Sequence, residues 1–148
     1  MIRVQYPRTR RSAIQDFSRV LLRWGIAAFF VYVGVLHFVR PDPFLKIMPS
    51  VLPWHLELVY ISGFFEIAGG VGLVLPRFQK AAAWGLLALL AAVYPANINM
   101  LVNEIYLDGM AEQKAILWAR LPLQFVLAAA ICWVSRIWFF STTSEEAS

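Results

Sequence analysis

The chain has 148 residues, 60% of them hydrophobic and only 15% charged, with a formal net charge of +4. A soluble domain carries about 25% charged residues, so this much apolar surface calls for lipid as its solvent, and the length suits one bundle without a second domain. The positive charge does not indicate nucleic acid: Arg3, Arg8, Arg10, Arg11, Arg19 and Arg23 crowd the N-terminal end, and no basic stripe with interleaved aromatics follows.

The first long apolar run extends over 20–39, behind a basic N-terminal segment at 1–18 expected in the cytoplasm. At ~1.5 Å per residue it crosses a hydrocarbon core of ~30 Å. It is too long for the apolar region of a signal peptide, and no small-residue cleavage site follows Leu36-His37-Phe38. An uncleaved span is expected. Pro41-Asp42-Pro43 ends it, because proline lacks an amide donor and restricts its predecessor.

Phe44, Leu45, Ile47, Met48, Val51, Leu52 and Trp54 then make a segment too apolar for a free loop, while Pro49 and Pro53 interrupt any single helix. Such a segment reads as a short amphipathic lid in the outer interface or as a plain interfacial anchor. The second span covers about 56–75 and stops at Pro76-Arg77. The third covers 80–102, and the fourth 116–136, with Trp138-Phe139-Phe140 suited to the interfacial belt. The Ser/Thr/Glu-rich tail at 141–148 is expected to be disordered.

The basic residues set the direction. With the N-terminus inside, the N-terminal arginines, Arg77, Lys80 and Arg136 lie inside. Arg40, Lys46, Lys114 and Arg120 lie outside, among Asp42, Glu57, Glu104, Asp108 and Glu112. The positive-inside rule therefore favours both ends in the cytoplasm. The fold expected is an all-α integral membrane four-helix bundle, multi-pass, in a plasma membrane of the bacterial inner-membrane type.

Function in such a bundle is best sought among polar residues at apolar depth, where an ionisable side chain costs ~2.5–3.5 kcal/mol and usually faces protein or water. Glu66 lies near the middle of the second span. Gly63, Glu66 and Gly70 share one helix face, and with Gly69 and Gly72 they let another helix approach closely. Glu66 reads either as a structural pin bonded to a neighbouring helix or as a ligand or proton group.

Arg120 and Gln124 are four apart on the fourth span and face the same way. Arg120 either snorkels outward as an anchor or turns inward, where Glu66 is the acid at membrane depth available to it. Pro122 between them frees a carbonyl in the preceding turn. Pro95 does the same on the third span, where Asn97 is placed to answer it or to point into the bundle. His37 lies within a turn of the outer end of the first span. Together His37, Glu66, Asn97, Arg120 and Gln124 place a polar group on every span in the outer half, and these five are the candidate ligand-binding residues.

Cys132 is the single cysteine, so neither an intramolecular disulfide nor a CxxC pair exists, and a small packing role in a helix is expected. His37 and His55 fit no standard metal-ligand spacing. Gly69-Gly70-Val71-Gly72 lies inside a span and serves packing rather than phosphate binding.

The order of Gly34-Val-Leu-His-Phe38, Pro41 with Phe44, Met48-Pro49 through Leu52-Pro53, Ile61-Ser-Gly63, Glu66-Ile-Ala-Gly-Gly70, Tyr94-Pro-Ala-Asn97 and Trp118-Ala-Arg-Leu-Pro-Leu-Gln124 resembles the DoxX family of small membrane proteins. The resemblance runs from the first span to the fourth and implies a four-helix membrane bundle. It also implies two kinds of role. Some relatives are the small subunit of a thiosulfate:quinone oxidoreductase or sit beside membrane redox enzymes, and others resemble chaperones that help membrane receptors assemble.

The function expected is that of an accessory or assembly protein without catalysis of its own. It would bind a protein partner or an apolar ligand at the outer-half site, with membrane lipid around it and no resident cofactor, and its apolar surface also suits a homo-oligomer. The alternative is a subunit of a quinone-linked oxidoreductase, which would take a quinone at the same site. A third reading is a small proton-coupled transporter with Glu66 as the coupling acid.

Overall fold

The structure, a computed structural model, describes residues 10–106 and 114–137. The Trp138-Phe139-Phe140 cluster, the tail at 141–148, the first nine residues and the acids Asp108 and Glu112 lie outside the described residues. The described chain is helical: α1 (Arg10–Val39), α2 (Asp42–Ile47), α3 (His55–Val74), α4 (Gln79–Val102) and α5 (Lys114–Ser135). All but α2 are long and apolar enough to cross a membrane. They form a multi-pass four-helix bundle, with α1 packed on α3, α3 on α4, α4 on α5, and α5 returning to α1.

The helix ends follow local chemistry. α1 begins about ten residues before the expected span, since no proline or glycine interrupts Arg10–Trp24 and helix formation does not stop at the lipid boundary. It ends at Val39 ahead of the prolines. α2 starts with Pro43 in its first turn, where the missing N–H has no intrahelical acceptor to lose, and it stops at Met48 before Pro49. Left-handed residues close α4 at Glu104 (φ 49°) and α5 at Arg136 (φ 56°). The following amides then reach back five residues, Ile105 N–H to the Met100 carbonyl and Ile137 N–H to that of Cys132.

The glycine surface of α3 divides between two neighbours. Toward α1, a Cβ placed on Gly34 would lie 2.7 Å from the Gly63 carbonyl oxygen, and one on Gly70 would lie 2.8 Å from that of Ala27. Toward α4, Gly69 meets Leu86 and Gly72 meets Ala82. Close backbone approach is what small residues supply between helices in lipid. These contacts fix the antiparallel register of three helices at once.

The core lies in two parts. Ile26, Phe30, Leu73, Ala83, Leu86, Ile131, Val134 and Ile137 fill the end that carries the helix α1 N-terminus, the α3–α4 turn and the α5 C-terminus. Ile47, Ala96, Met100 and Leu117 form a smaller cluster at the other end. Around both, Phe29, Tyr32, Phe64, Phe65, Leu123, Phe125 and Val126 are exposed. An apolar belt of that extent exceeds what a protein surface shows to water and fits acyl chains.

The segment after α1 divides into a buried half and an exposed half. α2 folds inward, with Ile47 buried against the outer cluster. Asn99 donates through Nδ2 to the Ile47 carbonyl at 3.0 Å, which ties the segment to α4. Beyond it, Val51 and Trp54 point outward, 87% and 74% exposed. The first half covers the bundle as a lid, and the second is exposed.

Candidate functional site

Two polar clusters lie in the outer half. The first joins α1 and α3. His37 and Glu66 are both buried, at 6% and 8% exposure, and His37 Nδ1 lies 3.2 Å from Glu66 Oε2. Nδ1 is also 2.9 Å from the Val33 carbonyl, which only accepts, so Nδ1 carries a hydrogen and donates it there. That leaves Glu66 Oε2 close to the ring yet without a hydrogen bond of its own. The contact is electrostatic proximity rather than a made bond. Over His37 lies the lid residue Phe44, stacked with ring centroids 3.6 Å apart.

The second cluster joins α4 and α5. Asn97 Nδ2 donates to Gln124 Oε1 at 2.7 Å, and Gln124 Nε2 donates to the Leu90 carbonyl at 2.5 Å. Arg120 reaches the same asparagine through Nη2 to Oδ1, at 3.4 Å, and its Nε is buried without a hydrogen-bond partner. Asn97 thus accepts from Arg120 and donates to Gln124, which fixes the direction of the chain. Pro95 weakens the helix just past Leu90, and Gln124 rather than Asn97 answers a carbonyl there.

The expected pairing of an inward Arg120 with Glu66 is not what the structure shows. Arg120 turns inward but meets Asn97, and Glu66 meets His37. The reason is register. Gly34 against Gly63 brings the outer end of α1 beside Glu66 before any α5 side chain reaches it. Arg120 lies nearer the outer end, a turn above Gln124, ~5.4 Å by helical pitch.

All five expected residues thus lie in the outer half, in two groups rather than one. The Gly69–Leu86 and Gly72–Ala82 contacts set Glu66 at about the height of Ala88 and Leu89 on α4. Since Gln124 bonds the Leu90 carbonyl, it lies within about a turn of Glu66 in height. Among the described residues no hydrogen bond or ion pair joins the two groups. Phe44 and Asn99 also shape this region and were not among the expected site residues. Asn99 had a readable signal, a second amide two residues past Asn97 on an otherwise apolar helix. Phe44 had none beyond its place in the lid.

Residues 26–136 match the family described as a domain of unknown function, DUF8561. The chain belongs to that family. All five outer-half residues and the lid fall within the matched stretch. No curated protein matches the chain, and no solved structure does.

Proposed function

We propose that this multi-pass protein is a non-catalytic accessory or assembly protein of the plasma membrane, of the bacterial inner-membrane type, with both ends in the cytoplasm. It holds a partner or an apolar ligand at the outer-half polar site of His37, Glu66, Asn97, Arg120 and Gln124. One observation carries this reading: Glu66 Oε2 is buried beside His37, under the Phe44 lid, without a hydrogen bond. A buried acceptor left unbonded costs about 1–3 kcal/mol, and a donor brought by a bound molecule recovers that cost. Kinship with the DoxX proteins belongs to the same proposal and is supported by the order and spacing of the motifs in this chain.

Glu66→Gln tests the reading. Purified wild type and variant would be compared for the apolar compounds they retain, measured by mass spectrometry of solvent extracts, and for thermal unfolding in detergent. Retention of a specific compound should fall at least about tenfold, equivalent to ~1.4 kcal/mol, with the unfolding temperature little changed. Unchanged retention, or a large loss of stability with no loss of retention in the folded fraction, would reduce Glu66 to a structural pin.

The stacked His37–Phe44 pair beside a carboxyl favours a second reading, a small subunit of a quinone-linked oxidoreductase. A quinone head is flat and has carbonyls on opposite edges, so it needs an aromatic plate and polar groups at its rim. Quinone enriched in the wild-type extract over bulk membrane, and depleted in Glu66→Gln, would support it. Extracts with quinone at the bulk level would end it.

A further inference from the structure

At the opposite end of the bundle a cavity of about 400 Å³ opens between α1, α4 and α5. That volume falls in the range of small-ligand sites, roughly 300–1,000 Å³. Its polar lining includes Asp16, Arg19, Arg23, Gln79 and Arg136. Arg19 and Arg136 both approach the same oxygen, Asp16 Oδ1, at 3.5 and 3.2 Å. One carboxylate therefore serves two guanidinium groups, while Arg23 faces the cavity and among the described residues makes no ion pair. Three cations against one anion leave a positive chamber.

The Arg19 guanidinium is held on two sides, by Asp16 and by an aromatic ring. Arg19 lies over the Trp133 ring, with Cζ 5.0 Å from the centroid, a geometry that orients a cation without neutralising it. The Nε atoms of Arg19 and Arg23 are buried and have no hydrogen-bond partner. Arg19 and Arg23 are four apart on α1 and so share a face. Gln79 donates to the Val134 carbonyl at 3.1 Å, which ties α4 to α5 beside the cavity.

Depth identifies what such a chamber meets. By helical rise Arg19 lies ~30 Å from Val39 at the far end of α1, about one hydrocarbon thickness, and Arg23 about a turn further in. The cavity is thus at the level of lipid headgroups, with Val20 and Val134 among its apolar lining. Arginine offers paired N–H donors that match a phosphate.

We propose that this cavity is a binding site for a phosphate-bearing anion, supplied by the headgroup of an anionic phospholipid or by a soluble phosphate compound. Arg23 and Arg19 hold the phosphate, Asp16 keeps Arg19 and Arg136 in place, and Val20, which is exposed, accepts the first acyl carbons when the source is a lipid. The site is separate from the outer-half polar clusters.

Native mass spectrometry of the full chain in detergent tests this. It would be run with added phosphatidylglycerol, with phosphatidylcholine and with inorganic phosphate. Intrinsic tryptophan fluorescence, to which Trp133 beside Arg19 contributes, would follow each titration. Wild type should retain one phosphatidylglycerol through delipidation steps that strip phosphatidylcholine, and Arg23→Gln should weaken that retention at least about tenfold. Arg77→Gln, at the same end but outside the cavity, should leave it unchanged. Arg23→Lys should recover part of the affinity, which separates loss of binding from loss of fold. A response to inorganic phosphate alone, abolished by Arg23→Gln, would support the proposal and assign a soluble source. Equal retention of both lipids, or retention that ignores Arg23→Gln while phosphate gives no response, would overturn it.

Discussion

Gln124 uses its amide in two directions, accepting from Asn97 and donating to the Leu90 carbonyl. A leucine there keeps the volume but removes both bonds, leaving Asn97 Nδ2 and a backbone carbonyl without them. Gln124→Leu should lower stability by about 1–3 kcal/mol, read as a drop in detergent unfolding temperature. Pairing it with Asn97→Leu should not restore the loss, because that change also removes the acceptor of Arg120 Nη2. A stable single variant would mean that the network carries no weight. Glycine gives the opposite test. Gly34→Leu must displace Gly63 or Ile67, which lie 2.7 and 2.8 Å from the added Cβ. Overpacking should cost about 1–3 kcal/mol or more. Gly25 has nothing within 4 Å of such a Cβ, so Gly25→Ala should be neutral or stabilising by about 0.5–1 kcal/mol. Equal effects at the two positions would contradict the α1–α3 contact. Glu66 and Gln124 were legible in the sequence because a polar group at apolar depth stands out against its neighbours. Their partners were not, since pairing depends on which helix heights coincide, and the glycines set those heights only once α1 and α3 have packed.

Among the elements, α2 is the one most dependent on tertiary contacts. Six residues are too few for a helix to hold itself in water or at an interface. It is held by Ile47 in the outer cluster, Phe44 on His37 and the Asn99 bond to the Ile47 carbonyl. Asn99→Ala removes that last tie at a cost of about 0.5–1.5 kcal/mol. Hydrogen exchange should then quicken in 42–48 while α3, α4 and α5 stay protected. Unchanged protection of the lid would show that Asn99 does not anchor it, and a general loss would show that it belongs to the core. The prolines made the ends of this element readable from sequence. Its inward fold was not readable, because an apolar run of this length packs equally well on a bundle or on lipid, and contacts distant in sequence, such as Asn99 52 positions away, decide between them.

At the scale of the whole molecule, the two ends of the bundle have different chemistry. One end carries Arg19, Arg23, Arg77, Lys80 and Arg136, and the other carries the lid and the two polar clusters. The four long apolar helices were legible because hydrophobic length maps directly onto bilayer thickness. The division of charge between the ends was legible too, and through the positive-inside rule it is the basis of the proposed direction. A proposal that places a binding site in the outer half depends on that direction. Single-cysteine labelling tests it most directly. In a Cys132→Ala background, Ser50→Cys lies between α2 and α3, and Pro76→Cys lies in the turn between α3 and α4. Treated with a membrane-impermeant maleimide, intact cells should label Ser50→Cys, and Pro76→Cys should label only after lysis. Labelling of Pro76→Cys in intact cells, with Ser50→Cys protected until lysis, would invert the molecule and remove the outer-half site from the outer face.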